Sequence, residues 1–422
     1  MPKRSRTGRL PSFEALERSA PSVQAARRAT YTMFFLDGLG FGVWAAHIPA
    51  FKQKFHLSDS SLSIALLAVA AGSIFSMPLA GQAVRHYGSK YCIAVSVACL
   101  AFCLVCIALT PALIPFVVAA LLFGAAKGGV DVGINAQAVV VEKCYGRPIM
   151  SSFQALWSVG GLAGGFLTSA TLSLGFTPAM NLVGVASLIL LLNLLNYFHL
   201  MRDASPPKEG GKRFRLPGKA LLSVAIFTFI ALFSEGALQD WAAVYMRQVV
   251  AVPVSIAAVG YAGYSTSMAL GRFVGDRVVA FFGERFVMRL SGALIIVGLV
   301  VALLVPSPIF AIAGFAVAGL GNSNLVPILF SAAGRDPDLG PGPGIAAVTT
   351  LGFCGFLIGP AVIGLMSKFF GLPVALSLVA ILGLITAVCG PAAISITCFA
   401  SAMMGTCPVR KSSVPISLPH IE

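Results

Sequence analysis

Apolar runs of about 20 residues follow one another along this chain, separated by short polar segments. A helix of that length spans the ~30 Å hydrocarbon core of a bilayer. Twelve runs qualify, at 29–50, 60–84, 90–110, 113–141, 148–171, 178–200, 219–247, 255–281, 286–305, 308–333, 344–367 and 373–398. Several are longer than a span needs, which predicts tilting or extension beyond the lipid. The pattern predicts an all-α membrane protein.

The polar segments set the orientation. On the twelve-span frame, 24 of the 29 Lys and Arg fall on the side of the N-terminus, 4 fall on the other side, and Lys127 lies inside a span. Cytoplasmic loops carry the basic excess, so both termini are expected in the cytoplasm. A miscounted span would scramble this asymmetry. The stretch 202–218 breaks the alternation, with Pro206, Pro207, Gly210, Gly211 and Pro217 among its charges. It reads as a flexible cytoplasmic linker. The expected organisation is a tail over 1–28, a six-helix bundle over 29–201, the linker over 202–218, a second six-helix bundle over 219–400 and a tail over 401–422. The first apolar run is too long for a signal-peptide core and reads as a retained span.

Composition narrows the class. Hydrophobic residues make up 57% of the 422, charged residues only 10%, and mean hydropathy is +0.90. A soluble domain carries about a quarter charged residues, so a soluble enzyme, a secreted disulfide scaffold and a disordered chain do not fit. The net charge of +14 sits in clusters between spans, with no basic patch interleaved with aromatics, which argues against nucleic acid. Cys103 and Cys106 form a C-x-x-C inside a span with no second pair, and packing is the favoured role. His47, His56, His86, His199 and His420 are scattered without metal-site spacing, so a membrane-embedded enzyme is disfavoured. There is no Walker A run, so direct ATP drive is disfavoured too. No cofactor or metal is expected.

The two halves repeat at an offset near 195. Gly124 maps to Gly319, Leu156 to Leu351, Gly160 to Gly355, Leu162 to Leu357 and Gly164 to Gly359, while Trp44-Ala45-Ala46 pairs with Trp241-Ala242-Ala243. An even number of spans separates equivalents, so the halves share one membrane orientation. That is a parallel repeat about an axis along the membrane normal.

A six-plus-six parallel repeat with a basic central linker resembles the major facilitator superfamily over residues 29–400. Its signature between spans 2 and 3 is a glycine, an acid-Arg pair, then glycine and basic residues. The first copy here runs from Gly81 through Arg85, Gly88 and Lys90, with Arg85 where the superfamily usually has Asp. The second reads Gly271-Arg272-Phe273-Val274-Gly275-Asp276-Arg277 and keeps its acid. The resemblance implies a gating role for Arg85, Arg272, Asp276 and Arg277, with Asp276 the better-placed acid. Two passages are more specific: Asp131-Val132-Gly133-Ile134-Asn135-Ala136-Gln137-Ala138 followed by Gly146-Arg147-Pro148, and Glu235-Gly236-Ala237-Leu238-Gln239-Asp240-Trp241. Both resemble a bacterial subgroup near the fucose-permease-like carriers that includes rhizopine-associated membrane proteins. The resemblance implies a bacterial inner-membrane carrier.

Charges inside spans are the strongest functional signal. Each costs roughly 2.5–3.5 kcal/mol on insertion scales, so it faces protein or a water-filled cavity. Lys127 and Asp131, spaced i, i+4, share a helix face and are either a fixed ion pair or one that opens for substrate or proton. Asn135 continues that face. Asp37 lies a third of the way into span 1, beside Gly38, Gly40 and Gly42. Desolvation disfavours its charged form, which suits a proton carrier, and the alternative is a partner for Lys127. Glu235 is a candidate for substrate or proton binding; Asp240 is a candidate outer gate or cap of a helix break. Gln154, Trp157, Asn322 and Asn324 add amides and an aromatic platform suited to polyhydroxylated cargo. Lys127 maps onto Asn322 by the repeat. Glycine pairs such as Gly160/Gly164 and Gly355/Gly359 allow either static close packing or sliding.

The expected function is a secondary transporter that works by alternating access. It would take a small polar solute, of sugar, polyol or amino-sugar type, by proton-coupled symport. The alternative is a proton-antiport efflux carrier for drugs or metabolites, and a third possibility is a non-transporting sensor on a carrier fold. The expected partners are the solute, protons and the lipid bilayer, and the expected state is a monomer.

Overall fold

The computed structural model describes residues 21–56, 59–202, 218–305, 307–336 and 339–403. Most of the two expected tails and of the linker lies outside the described residues. Thirteen helices are present among them. They are α1 (Val23–Lys54), α2 (Asp59–Tyr87), α3 (Ser89–Leu109), α4 (Leu113–Tyr145), α5 (Met150–Ser173), α6 (Pro178–Tyr197), α7 (Lys219–Gln248), α8 (Val254–Phe282), α9 (Glu284–Leu304), α10 (Pro308–Asn322), α11 (Leu325–Gly334), α12 (Pro341–Phe370) and α13 (Leu372–Met403).

Twelve apolar crossings account for these thirteen helices, because α10 and α11 divide the single stretch Pro308–Gly334. The break falls at Asn322-Ser323-Asn324, three polar residues in the middle of a span that was expected to be continuous. Ten stretches are long and apolar enough to cross a membrane by length and composition. The two others, α1 and α8, are 32 and 29 residues long. Asp37 dilutes the apolar character of the first, and Arg272, Asp276 and Arg277 that of the second. Around the outside, large apolar side chains such as Phe75, Phe102, Phe166, Leu194 and Phe281 are exposed. That surface is stable only against hydrocarbon.

Local signals start and stop the helices. The Ser22 hydroxyl accepts from Ala25 N–H at the start of α1, and Thr177 accepts from Met180 N–H ahead of Pro178, the first residue of α6. Turns demand glycine at six described positions of positive φ: Gly88, Gly146, Gly175, Gly283, Gly340 and Gly371. These form three repeat pairs, 88/283, 146/340 and 175/371, with φ of 85°/82°, 72°/73° and 86°/81°. Each pair turns the chain between equivalent helices, at a conformation open to glycine and costly for other residues.

The helix crossings repeat as well. A side chain at Gly160 would strike the Phe35 carbonyl of α1, and one at Gly355 the Phe229 carbonyl of α7. Gly164 faces Leu39 as Gly359 faces Phe233, and Gly124 faces Val69 as Gly319 faces Tyr264. The α1–α5 crossing is thus copied by α7–α12, and α2–α4 by α8–α10. These glycines pack helices of the same half, so they serve static close approach rather than sliding between halves.

Contacts between the two sets of helices run through α2, α4 and α5 on one side and α8, α11 and α12 on the other. The contacts that can be placed residue by residue gather at the end of the bundle where α6 finishes and α7 begins. Here Gly81 leaves no room against Gly342 and Ala346, and Gly334 none against Val139. We call this the linker end, and the contact surface the seam.

Candidate functional site

The buried charges fall into two groups, one in each half. In the first, Lys127 of α4 donates to Asp37 Oδ2 of α1 at 3.0 Å and to Asp131 Oδ1 of its own helix at 2.5 Å. The i, i+4 spacing points both α4 side chains toward α1, so one ammonium bridges two carboxylates on two helices. The ammonium also sits 5.6 Å from the centroid of the Trp157 ring of α5. Asp37, Lys127 and Asp131 are 1%, 5% and 7% exposed, which makes pairing obligatory. Asp131 Oδ2 has no hydrogen-bond partner among the described residues. With all three ionised, the group carries one net negative charge.

In the second half, Glu235 of α7 meets Arg272 of α8 at 3.4 Å. Gln239 donates to the other carboxylate oxygen at 3.2 Å. Next to them, Asn322 at the end of α10 donates to the hydroxyl of Tyr264 at 3.0 Å and to the Ala231 carbonyl at 3.4 Å. Asn322 is fully buried and its Oδ1 has no partner among the described residues. Lys127 and Asn322 are repeat equivalents, so a cation in one half faces the role of an amide in the other.

A chain of hydrogen bonds joins the groups. Asn135 donates to the Asp131 carbonyl at 2.8 Å and accepts from Gln154 at 3.0 Å. One turn on, Ser158 donates to the Gln154 carbonyl at 3.4 Å and accepts from Arg272 at 3.1 Å. Arg272 thereby crosses from the second half to the first.

Several expected sites are placed otherwise than the sequence suggests. Arg272, expected at the gate, is 3% exposed and is the counter-ion of Glu235, and it also donates to Ser158 across the seam. Asn324 was expected among substrate-binding residues, but it lies at the seam, where its amide oxygen accepts from the Ser151 hydroxyl at 2.8 Å. Asp276 does lie at the seam, where its hydrogen bonds come from the start of α5 and Arg27 is the cation that acts on it. Its carboxylate accepts from the backbone N–H of Ser151 at 2.9 Å and of Ser152 at 3.2 Å, and so caps the first turn of α5 from the opposite half. Glu142 caps the same turn from α4, accepting from Ile149 and Met150 N–H at 2.9 Å each. Arg277 is exposed, and Arg85 is half-buried with no ion pair among the described residues. Asp240 is exposed, a little more than one turn beyond Glu235 on α7.

Sequence reading missed Tyr264, Ser158 and the Arg272 partnership. A signal existed for the last: Glu235 needed a cation, and Arg272 was the one basic residue well inside a span of the same half. The Asn-Ser-Asn triplet likewise marked the helix break.

The comparisons with known proteins come to the same architecture. The family model described as Major Facilitator Superfamily matches residues 30–338. An uncharacterised MFS-type transporter of Yersinia pestis is 38% identical over 357 residues, covering 84% of this chain and 92% of that one. Membrane protein MosC of Rhizobium meliloti is 32% identical over 367 residues, covering 87% and 90% respectively. Among solved structures, the Escherichia coli fucose:proton symporter FucP superposes with a TM-score of 0.70 at 15% identity, over 88% of this chain and 98% of that one.

Proposed function

Because the chain belongs to the major facilitator superfamily, whose members are membrane transporters rather than enzymes, we propose that it moves a small polar solute by alternating access. The two six-span halves, 29–201 and 219–400, rock about the buried charge groups. The linker end is cytoplasmic by the distribution of Lys and Arg, and the membrane is a bacterial inner membrane. With the seam closed at the linker end, the described conformation is shut toward the cytoplasm.

One observation carries this reading. Three carboxylates and two cations are buried inside the two bundles on helices α1, α4, α7 and α8, with Gln154, Trp157 and Asn322 beside them. Such groups are expensive in lipid and are kept where a polar cargo or ion must be handled. Amides and carboxylates around an indole suit a sugar, polyol or amino-sugar-like solute. The net negative charge of the first group favours proton coupling through Asp37 or Asp131, and the fold shared with FucP, named as a fucose:proton symporter, is consistent with symport. The test is uptake into liposomes loaded with a pH dye, across a panel of sugars, inositols, amino sugars and carboxylic acids. The expected result is proton entry triggered by one solute class and lost in Asp37→Asn or Asp131→Asn. Proton-driven extrusion of a labelled cationic drug, with the panel silent, would replace symport by antiport efflux.

A further inference from the structure

At the linker end, the corner where α2 passes into α3 and α6 finishes carries charges that the buried groups do not use. Lys90, in the first turn of α3, holds its ammonium 4.5 Å from the centroid of the Tyr197 ring, the last residue of α6. The charge that acts on Lys90 is a second cation, Arg202, just beyond the end of α6. Neither meets a carboxylate among the described residues, so two cations that repel each other share one corner without a counter-ion. Arg202 also opens the stretch to Lys219, which holds six Lys and Arg against two acids. The surface around the pair is apolar and aromatic: Tyr91, Leu194, Leu195 and Phe198 are exposed, and the Phe198 ring meets Tyr197 edge-on at 5.4 Å. Such side chains belong at the boundary between hydrocarbon and headgroups. The internal repeat supplies the contrast. Lys90 maps to Arg285, but Tyr197 maps to Ala392 and Ser89 to Glu284. The second half thus has no ring at the equivalent place and brings its own acid, which pairs with Arg335 at 2.7 Å.

We propose that Lys90, Arg202 and the Tyr197 ring form a binding site for the headgroup of an anionic phospholipid in the leaflet at the linker end. The proposal goes beyond the transport reading and needs only that the chain lies in a bilayer. A phosphate diester supplies the missing counter-ion: the Lys90 ammonium and the Arg202 guanidinium both donate to its oxygens. The Tyr197 ring holds the ammonium at headgroup depth, which leaves its N–H groups free for phosphate. Leu194 and Leu195 offer the acyl chains an apolar bed beside it. That bed selects a lipid over a soluble anion, because phosphate alone gains nothing from it. The excess of cations selects net negative headgroups over zwitterionic ones, whose own ammonium would be a third positive charge. Basic clusters at the ends of membrane helices hold anionic lipids on the same grounds.

The test is native mass spectrometry of the full chain released from detergent micelles, with phosphatidylglycerol or phosphatidylcholine of the same acyl chains added. The wild type should retain phosphatidylglycerol in preference to phosphatidylcholine. Lys90→Gln and Arg202→Gln should each weaken that retention about fivefold, and Tyr197→Leu should weaken it too, while Lys90→Arg should keep it. Arg285→Gln removes one exposed charge from the equivalent corner of the second half and should change nothing. Phosphatidylglycerol should also raise the Tm of the wild type and not that of the Lys90→Gln/Arg202→Gln double variant. Should Lys90→Gln fail to fold, Arg202→Gln, at an exposed position, carries the comparison with Arg285→Gln. Equal retention of both lipids by the wild type would overturn the proposal. So would a loss in Arg285→Gln that matches Arg202→Gln, which would place the effect in total charge rather than in this corner. Displacement of phosphatidylglycerol by an equal concentration of inorganic phosphate would make the ligand a soluble anion and overturn the lipid assignment. None of these readouts needs a cargo, so they stand or fall apart from the solute screen.

Discussion

The two halves of the molecule share a scaffold and differ in what they bury. Turn glycines and helix crossings are copied nearly residue for residue from α1–α6 to α7–α13. The buried charges are not. The first half closes its triad on itself, with Lys127 satisfying Asp37 and Asp131 within the bundle. The second half pairs Glu235 with Arg272, and that arginine spends a further donor across the seam. Backbone packing thus follows the repeat, while a few buried polar residues break it. The buried polar groups are therefore asymmetric within symmetric bundles.

The largest test of that contrast is Lys127→Met. It strands two buried carboxylates and should cost about 3–5 kcal/mol of stability, read as a lowered Tm in detergent. Arg272→Met strands only Glu235, which retains the Gln239 N–H, and should cost less. A larger loss for Arg272→Met would show that the second half, not the first, depends more on its buried ion pairing.

The symmetry of the scaffold is tested next. Gly160→Ala and Gly355→Ala should destabilise equally, by about 1–3 kcal/mol each, because both Cβ atoms would meet a backbone carbonyl. Gly165→Ala, with open space around it, should be neutral or slightly stabilising, within about 1 kcal/mol. Unequal losses at 160 and 355 would break the claim of equivalent crossings.

A smaller effect is expected at the seam. Asp276→Asn keeps an acceptor oxygen but removes the negative charge that the second half places at the start of α5, and should cost about 0.3–1 kcal/mol, with faster hydrogen–deuterium exchange at Ser151 and Ser152. Arg277→Ala, at an exposed position, should stay within about 0.5 kcal/mol. If Arg277→Ala opened the seam more than Asp276→Asn, the gate would rest on ion pairing rather than on the capped helix.

Much of this was readable in the chain. Apolar length gave twelve crossings, and the repeat gave the partnership of Gly160 with Gly355 and Gly164 with Gly359. The i, i+4 spacing placed Lys127 and Asp131 on one face. The second partner of Lys127 stayed open between alternatives, since Asp37 is 90 residues away and no local period relates them. The role of Asp276 was half legible: the motif marked it for the gate, but its partners are backbone N–H groups, which no side-chain pattern announces.

The sequence by itself determined the solvent, the number of crossings and the internal symmetry. Those depend on hydrophobic length, charge placement and glycine position, all local or periodic along the chain. Tertiary structure alone decided that Arg272 pairs with Glu235, that Asn324 clasps Ser151, and that a span breaks so that α11 touches both halves. Each of these is a choice among partners distant in sequence. It is made by which helices come close enough to satisfy a buried charge, and that proximity exists only once the two bundles have packed.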